Sequence, residues 1–305
     1  MIKTGIYNLE QMTEPSNKRV SITLYDQILG QPNAAELADK ILLWFTDERG
    51  AYKRTYAQRF EGFDQALIEI LQQYYKPKAP IVIQDLAVSD GRTAVDFFGK
   101  LTAYFSNVEY HATDYNPKVQ VLESGQTKVT IGMNYKVIEI VWPPFVFNAV
   151  RPDRYYHDPL NRVVQFFVEK LVLPKILRDY HNGKIKARDI FLFAPAAMNL
   201  AKNDVKFKLY QHDMLNKFEM QSDIIRAMNV LNLSYFTKEE FRLIIKNLHA
   251  ALKIDGLFIT GSNQDAGSLV DGGVYQRTEN GFKKIWQSGA GSPIDEILTS
   301  NLENK

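Results

Sequence analysis

The stretch IVIQDLAVSDGRTAVDFF, residues 81–98, carries three patterns in succession. Ile81 to Leu86 is a short, nearly continuous apolar run, the pattern of a strand buried on both faces of a parallel sheet. Ala94, Phe97, Phe98, Leu101 and Phe105 then recur at helical spacing. Between them lies Ala87-Val88-Ser89-Asp90-Gly91, a corner of mostly small residues. A strand that runs through such a corner into a helix opens an α/β sheet, and the usual occupant of the corner is a nucleotide-like cofactor.

Outward from this corner the alternation continues. Val108 to Thr113 reads as a second strand ending at Asp114, and Lys206 to Tyr210 as a third ending near Asp213. Asp223 to Met228 reads as a fourth, followed by Asn229, and Leu257 to Thr260 as a fifth. Thr237 and Glu240 form a capping box ahead of a helix that buries Phe241, Ile244, Ile245, Leu248 and Leu252. Val274 to Thr278 and Phe282 to Trp286 flank Glu279-Asn280-Gly281, a hairpin signal. The pattern predicts an α/β fold, with a doubly wound, Rossmann-like, mostly parallel sheet and a C-terminal antiparallel hairpin.

Two regions stand outside that alternation. Residues from about 20 to 75 read as helical, with apolar stripes from Ala35 to Phe45 and from Phe60 to Leu71. Pro77 and Pro80 cannot continue a helix and place a boundary there. The expected division is an N-terminal helical region over 1–79, serving as core, cap or oligomer contact, and a Rossmann-like domain over 80–305. An insertion of about residues 129–186 separates the second and third strands. It contains Tyr155, Tyr156 and His157, then a helix with Asp158 as N-cap and Pro159 at its first position. Val163, Phe166, Phe167, Val168, Leu171 and Val172 give that helix an apolar face, and Pro174 is expected to kink or end it. The face either packs on the domain or serves as a lid or slot for an apolar substrate.

Composition narrows the function. A hydrophobic share of 45% and a charged share of 24% are those of a globular protein, and a net charge of +2 gives no reason to expect nucleic acid. The absence of cysteine excludes disulfides, thiolate nucleophiles and cysteine-ligated zinc. His212 beside Asp213 without further clustered ligands makes no metal site. No stretch reaches the roughly 18 consecutive apolar residues of a membrane span, and the first residues lack the apolar core of a signal peptide. A soluble, cytoplasmic protein is expected, and a homo-oligomer is compatible with it.

A dinucleotide fold wants G-x-G-x-x-G, so that backbone amides can close on a pyrophosphate. Here Ala87 and Ser89 stand where the first two glycines would be, which disfavours NAD. There is no phosphate-binding G-x-x-x-x-G-K-[ST] either. S-adenosylmethionine (SAM) carries no phosphate and asks for a small-residue turn, a carboxylate for its ribose, a partner for its adenine amino group and apolar walls. Ser89-Asp90-Gly91 supplies the turn, Asp114 suits the ribose diol and Asp213 the adenine, and Asn229 lies where the methionine part and an acceptor should meet. All fall at the carboxyl edge of one sheet, the ligand-binding edge of open α/β folds. Plainer roles stay open. Asp114 and Asp213 would serve as helix or turn caps, Asn229 as a turn residue, and Asp85 would lie near the pocket or be held by backbone amides.

The segments IQDLAVSDGRTA, YHATDYNP, YQHDML, DIIRAMNVLNLSYF and LHAALKIDGLFITGS together resemble class I SAM-dependent methyltransferases, nearest the branch that includes the chemotaxis-receptor glutamate methyltransferases. The resemblance covers about Ile81 to Ser262 less the insertion. It implies that Ala87, Ser89 and Gly91, with Asp85 nearby, line the methionine part. It implies Asp114 for the ribose, Asp213 with Met214 for the adenine, and Asn229 with Val230 beside the donor methyl. A general base is optional for methyl transfer. His157, His212 and Tyr235 are the candidates for it, and Tyr155, Tyr156 and His157 the substrate-side candidates. The expected activity is methylation of a small molecule with an apolar or aromatic body. The alternatives are a protein side-chain carboxyl methyltransferase and a non-catalytic SAM-binding module.

Overall fold

The computed structural model describes residues 4–13, 18–48, 50, 53, 55–150, 159–232, 235–263 and 269–299. In chain order, two 3-10 turns (Glu10–Thr13, Ile22–Ile28) precede α1 (Ala34–Leu42), α2 (Glu61–Tyr74), β1 (Ile81–Leu86), α3 (Arg92–Tyr104) and β2 (Val108–Asp114). Next come β3 (Lys118–Ser124), β4 (Thr127–Ile131), β5 (Val137–Trp142), β6 (Phe145–Asn148), α4 (Pro159–Phe167), α5 (Leu173–His181) and β7 (Ala187–Phe191). The chain continues through α6 (Pro195–Asn203), β8 (Phe207–Gln211), β9 (Ser222–Met228), α7 (Lys238–Ala251) and β10 (Leu252–Ser262). It closes with β11 (Asp271–Thr278), β12 (Gly281–Ser288) and α8 (Asp295–Thr299). These elements form two compact units, one from Met1–Arg54 with Asn116–Pro195 and the other from Thr55–Tyr115 with Ala196–Lys305.

The second unit holds a seven-stranded sheet in the order β12-β11-β10-β9-β1-β2-β8. Strands β8, β2, β1, β9 and β10 pair in parallel, and β11 and β12 add an antiparallel hairpin. Alternate residues on the central strands point to opposite faces. Leu86, Ile225 and Ala227 therefore meet Phe241, Ile244, Ile245 and Leu248 of α7 on one face. Asp85 and Arg226 meet α2 and α3 on the other, where Arg226 reaches Asp64 and lies over the Phe97 ring. Helices on both faces make the sheet doubly wound, as expected. The capping box on α7 is present, with Thr237 Oγ1 accepting from Glu240 N and the Glu240 carboxylate accepting from Thr237 N.

The first unit is built on an antiparallel five-stranded sheet, β6-β5-β4-β3-β7. One face packs on the N-terminal segment, with Leu24, Tyr25, Ile28, Ile41 and Phe45 against Val119, Val121, Ile138 and Ile190. The buried Glu139 carboxylate fixes that segment to β5, accepting from Arg19 Nη2 at 3.1 Å, Ser21 Oγ at 2.6 Å and Ile22 N at 3.0 Å. The other face, with Leu122, Val129, Ile140 and Phe147, receives Val168 and Ile176 from the helical arm.

The expected helical stretch from 20 to 75 thus resolves into α1 in one unit and α2 in the other, and the Pro77–Pro80 boundary falls between α2 and β1 of the second unit. The expected insertion is part of a longer excursion from Lys118 to Phe191, whose first and last residues pair as β7 adds to the edge of the sheet beside β3. Helix α4 starts at Pro159 as expected, while Asp158 lies outside the described residues. Pro174 does not end the arm. Its ring would clash with the carbonyl four residues back, and a π-helical segment, Val168–Val172, with Leu173 N donating to Val168 O, carries the helix past that conflict.

Candidate functional site

Strand order reverses at β1. The chain leaves β1 for β2 on one side, and β9 lies on the other. At such a switch point the loops after the two strands part and leave a crevice at the carboxyl edge. Registers align that edge, with Leu86 opposite both Thr113 and Ala227, and Asp114 opposite Gln211. The residues that follow β1, β2, β8 and β9 are therefore the ones singled out in the sequence.

Both loops that flank the crevice hold non-glycine residues in the left-handed region, Ala87 at φ 55°, Ser89 at φ 59° and Asn229 at φ 58°. Such residues persist only where their surroundings over-determine them, and they cluster at ligand sites. After β1, Val88 N donates to Thr113 O at 3.0 Å and Ser89 N to Asp114 Oδ2 at 2.8 Å. Gly91, at φ 84°, starts α3, and the buried Asp90 holds its first turn by accepting from Arg92 N at 3.1 Å. Ser89 and Asp114 are thus brought into direct contact.

After β9, Asn229 N donates to Gly261 O at 2.8 Å, Asn229 Nδ2 donates to Asn263 Oδ1 at 3.0 Å, and Asn229 Oδ1 accepts from Asn263 N at 2.9 Å. Asn263 also accepts from Arg59 Nε at 3.0 Å. Neither partner of Asn229 is marked in the sequence, since both lie about thirty residues or more from it and in no shared motif. Val230 is half-buried beside it.

Past β8, His212 N donates to Asp114 O at 3.2 Å, which ties the third strand end to the second. Asp213 Oδ1 accepts from Leu215 N at 2.9 Å, the turn-capping role, and Met214 is buried among Leu86, Leu231 and Phe241. The His212 ring is half-buried, 4.3 Å between centroids from Phe218, and its Nε2 has no hydrogen-bond partner among the described residues. Burial pushes its pKa below the ordinary value, against the pull of Asp213 and Glu219.

Asp85 is placed differently from the rim. Its carboxylate is 1% exposed and is held by side chains, Tyr110 Oη at 2.5 Å and Arg226 Nη1 at 2.8 Å, with Arg226 Nη2 reaching Asp64 at 3.0 Å. It supports the strand beneath the corner, because the face of β1 that carries it is covered by α2 and α3. Tyr235 is exposed on the loop before α7. Tyr155, Tyr156 and His157 lie outside the described residues. No group of three His, Asp or Glu that could hold a metal occurs among the described residues.

No protein-family model matches the sequence, and no curated protein matches it. Among solved structures, the glycopeptide N-methyltransferase MtfA complexed with S-adenosyl-L-homocysteine aligns at 10% identity and TM-score 0.31, covering 68% of this chain and 52% of its own. The citrinin polyketide synthase CMeT domain aligns at 13% identity and TM-score 0.37, covering 79% of this chain and 42% of that one. A S-adenosylmethionine-dependent methyltransferase from Clostridium acetobutylicum ATCC 824 aligns at 12% and TM-score 0.35, covering 78% of each. The chain spans about half the length of the glycopeptide enzyme.

Proposed function

We propose that the crevice beside β1 binds SAM and that the protein is a methyltransferase acting on a small molecule with an apolar or aromatic body. The supporting observation is the switch point itself, flanked by left-handed Ala87 and Ser89 on one side and Asn229 on the other, with the Asp114 carboxylate at its edge. A short non-glycine corner crowds a pyrophosphate and suits a cofactor that carries no phosphate.

In this reading Ala87, Ser89 and Gly91 line the methionine part and Asp114 accepts from the ribose hydroxyls. Asp213 takes the adenine amino group against the apolar wall of Met214, and Asn229 and Val230 border the methyl. SAM supplies an electrophilic methyl on a sulfonium, and the protein's share is alignment of an acceptor lone pair with it, for which effective molarities of about 10⁵–10⁸ M are attainable. His212, whose pKa burial lowers, and Tyr235 are the candidate proton acceptors on this unit where the acceptor is a hydroxyl or phenol. Tyr155, Tyr156 and His157 are the substrate-side candidates of the sequence and lie outside the described residues.

Calorimetry with SAM, S-adenosylhomocysteine and NAD tests the cofactor. Binding of both sulfur compounds and not NAD is expected, weakened at least tenfold by Asp114→Asn. Binding of NAD alone overturns the reading. A second reading, a non-catalytic SAM-binding module, keeps the same cofactor residues and differs in turnover alone. Labelled methyl transfer into a fractionated lysate separates the readings: label in small molecules supports the first, in protein a side-chain methyltransferase, and in neither the binding module.

A further inference from the structure

We propose that the outer face of the helical arm Pro159–His181 docks on the surface of an anionic lipid bilayer. The arm packs on its own sheet through Val168 and Ile176, with Val164, Val172 and Leu173 partly buried beside them. Its opposite side carries Val163, Phe166, Phe167 and Leu171, which are 50%, 56%, 52% and 70% exposed. Single exposed apolar residues are ordinary, but a run of them along one helix face is not. The two phenylalanines, their rings 5.9 Å apart, alone expose on the order of 200 Å².

Charge selects the partner. Lys170, Lys175 and Arg178 are exposed on the same arm. Its carboxylates are half-buried and paired: Glu169 accepts from Gln165 Nε2 at 2.8 Å, and Asp179 lies within 3.9 Å of Lys184. The outer face therefore combines aromatic and aliphatic groups with cations. An anionic bilayer offers the complement to both parts, with Phe and Leu entering the headgroup boundary and Lys and Arg stems reaching back to phosphates. No helix among the described residues is long and apolar enough to cross a membrane, so the contact is with the surface.

Sedimentation of the full chain with vesicles tests this. Binding is expected to vesicles of phosphatidylcholine with phosphatidylglycerol and not to phosphatidylcholine alone, and it should weaken in 0.5 M salt. The double variant Phe166→Ser, Phe167→Ser should lose at least tenfold in partitioning while keeping its circular dichroism. Where that variant does not fold, Lys170→Glu with Lys175→Glu reads the same loss. In a Phe167→Trp variant, brominated anionic lipid should quench the added emission. No binding to anionic vesicles, binding indifferent to these substitutions, or absence of quenching overturns the proposal. So does a concentration-dependent dimer that the serine variant dissolves, which would make the face an interface between copies.

Discussion

Ala87 and Ser89 occupy a backbone region that disfavours L-residues by about 1–2 kcal/mol each. Two hydrogen bonds hold the turn there, Val88 N to Thr113 O and Ser89 N to Asp114 Oδ2. Ala87→Gly should relieve the conformation at some cost in chain entropy, for a net gain of about 0.5–1 kcal/mol. A rise in Tm checks this, and a fall would mean that the Ala87 methyl packs more than it strains. The location of this corner was legible because a strand end, a small-residue turn and a helix are local patterns. The sign of its φ angles was not, since sequence alone asks for glycine there and the structure adopts the turn without it. The reciprocal pairing of Asn229 with Asn263 was hidden for a related reason: it joins two strand ends that only the sheet makes neighbours.

At the scale of elements, α2, β1 and β9 are joined by a buried Asp64–Arg226–Asp85 bridge. Above pH 7, where Asp64 is ionised, Arg226→Met leaves two buried carboxylates without their cation and should cost about 3–5 kcal/mol. Adding Asp64→Asn and Asp85→Asn should recover much of it, as read from urea midpoints. Burial lifts the Asp64 pKa from 3.8 to about 7 against the pull of Arg226. The folded chain thus holds a proton that the unfolded chain has released between about pH 4 and 7. The stability this contributes is fully present below about pH 4 and is lost as pH rises to 7. Wild-type Tm measured against that of Asp64→Asn should fall across this window and level off above it. On α7, Thr237→Ala removes the cap and should cost about 1 kcal/mol. The capping box, the parallel strands and the terminal hairpin were all readable from short spacings. The bridge was not, because Asp64 and Arg226 lie 162 positions apart and each looks like a surface residue in isolation.

Over the whole molecule, the sequence spoke clearly for one of the two units. The doubly wound sheet announces itself through apolar strands alternating with periodic helices. The five-stranded sheet does not, because its short strands run from Lys118 to Phe191, overrunning both ends of the stretch read as an insertion, and its core is completed by a segment a hundred residues upstream. That segment's Arg19 meets Glu139 across 120 positions of chain. During synthesis at about 5–20 residues per second, the leading arm therefore waits on the order of ten seconds before the strand it belongs to has been made. Its apolar residues, from Ile6 to Phe45, spend that interval without their final neighbours, so this half of the chain folds only after the strands it covers have emerged.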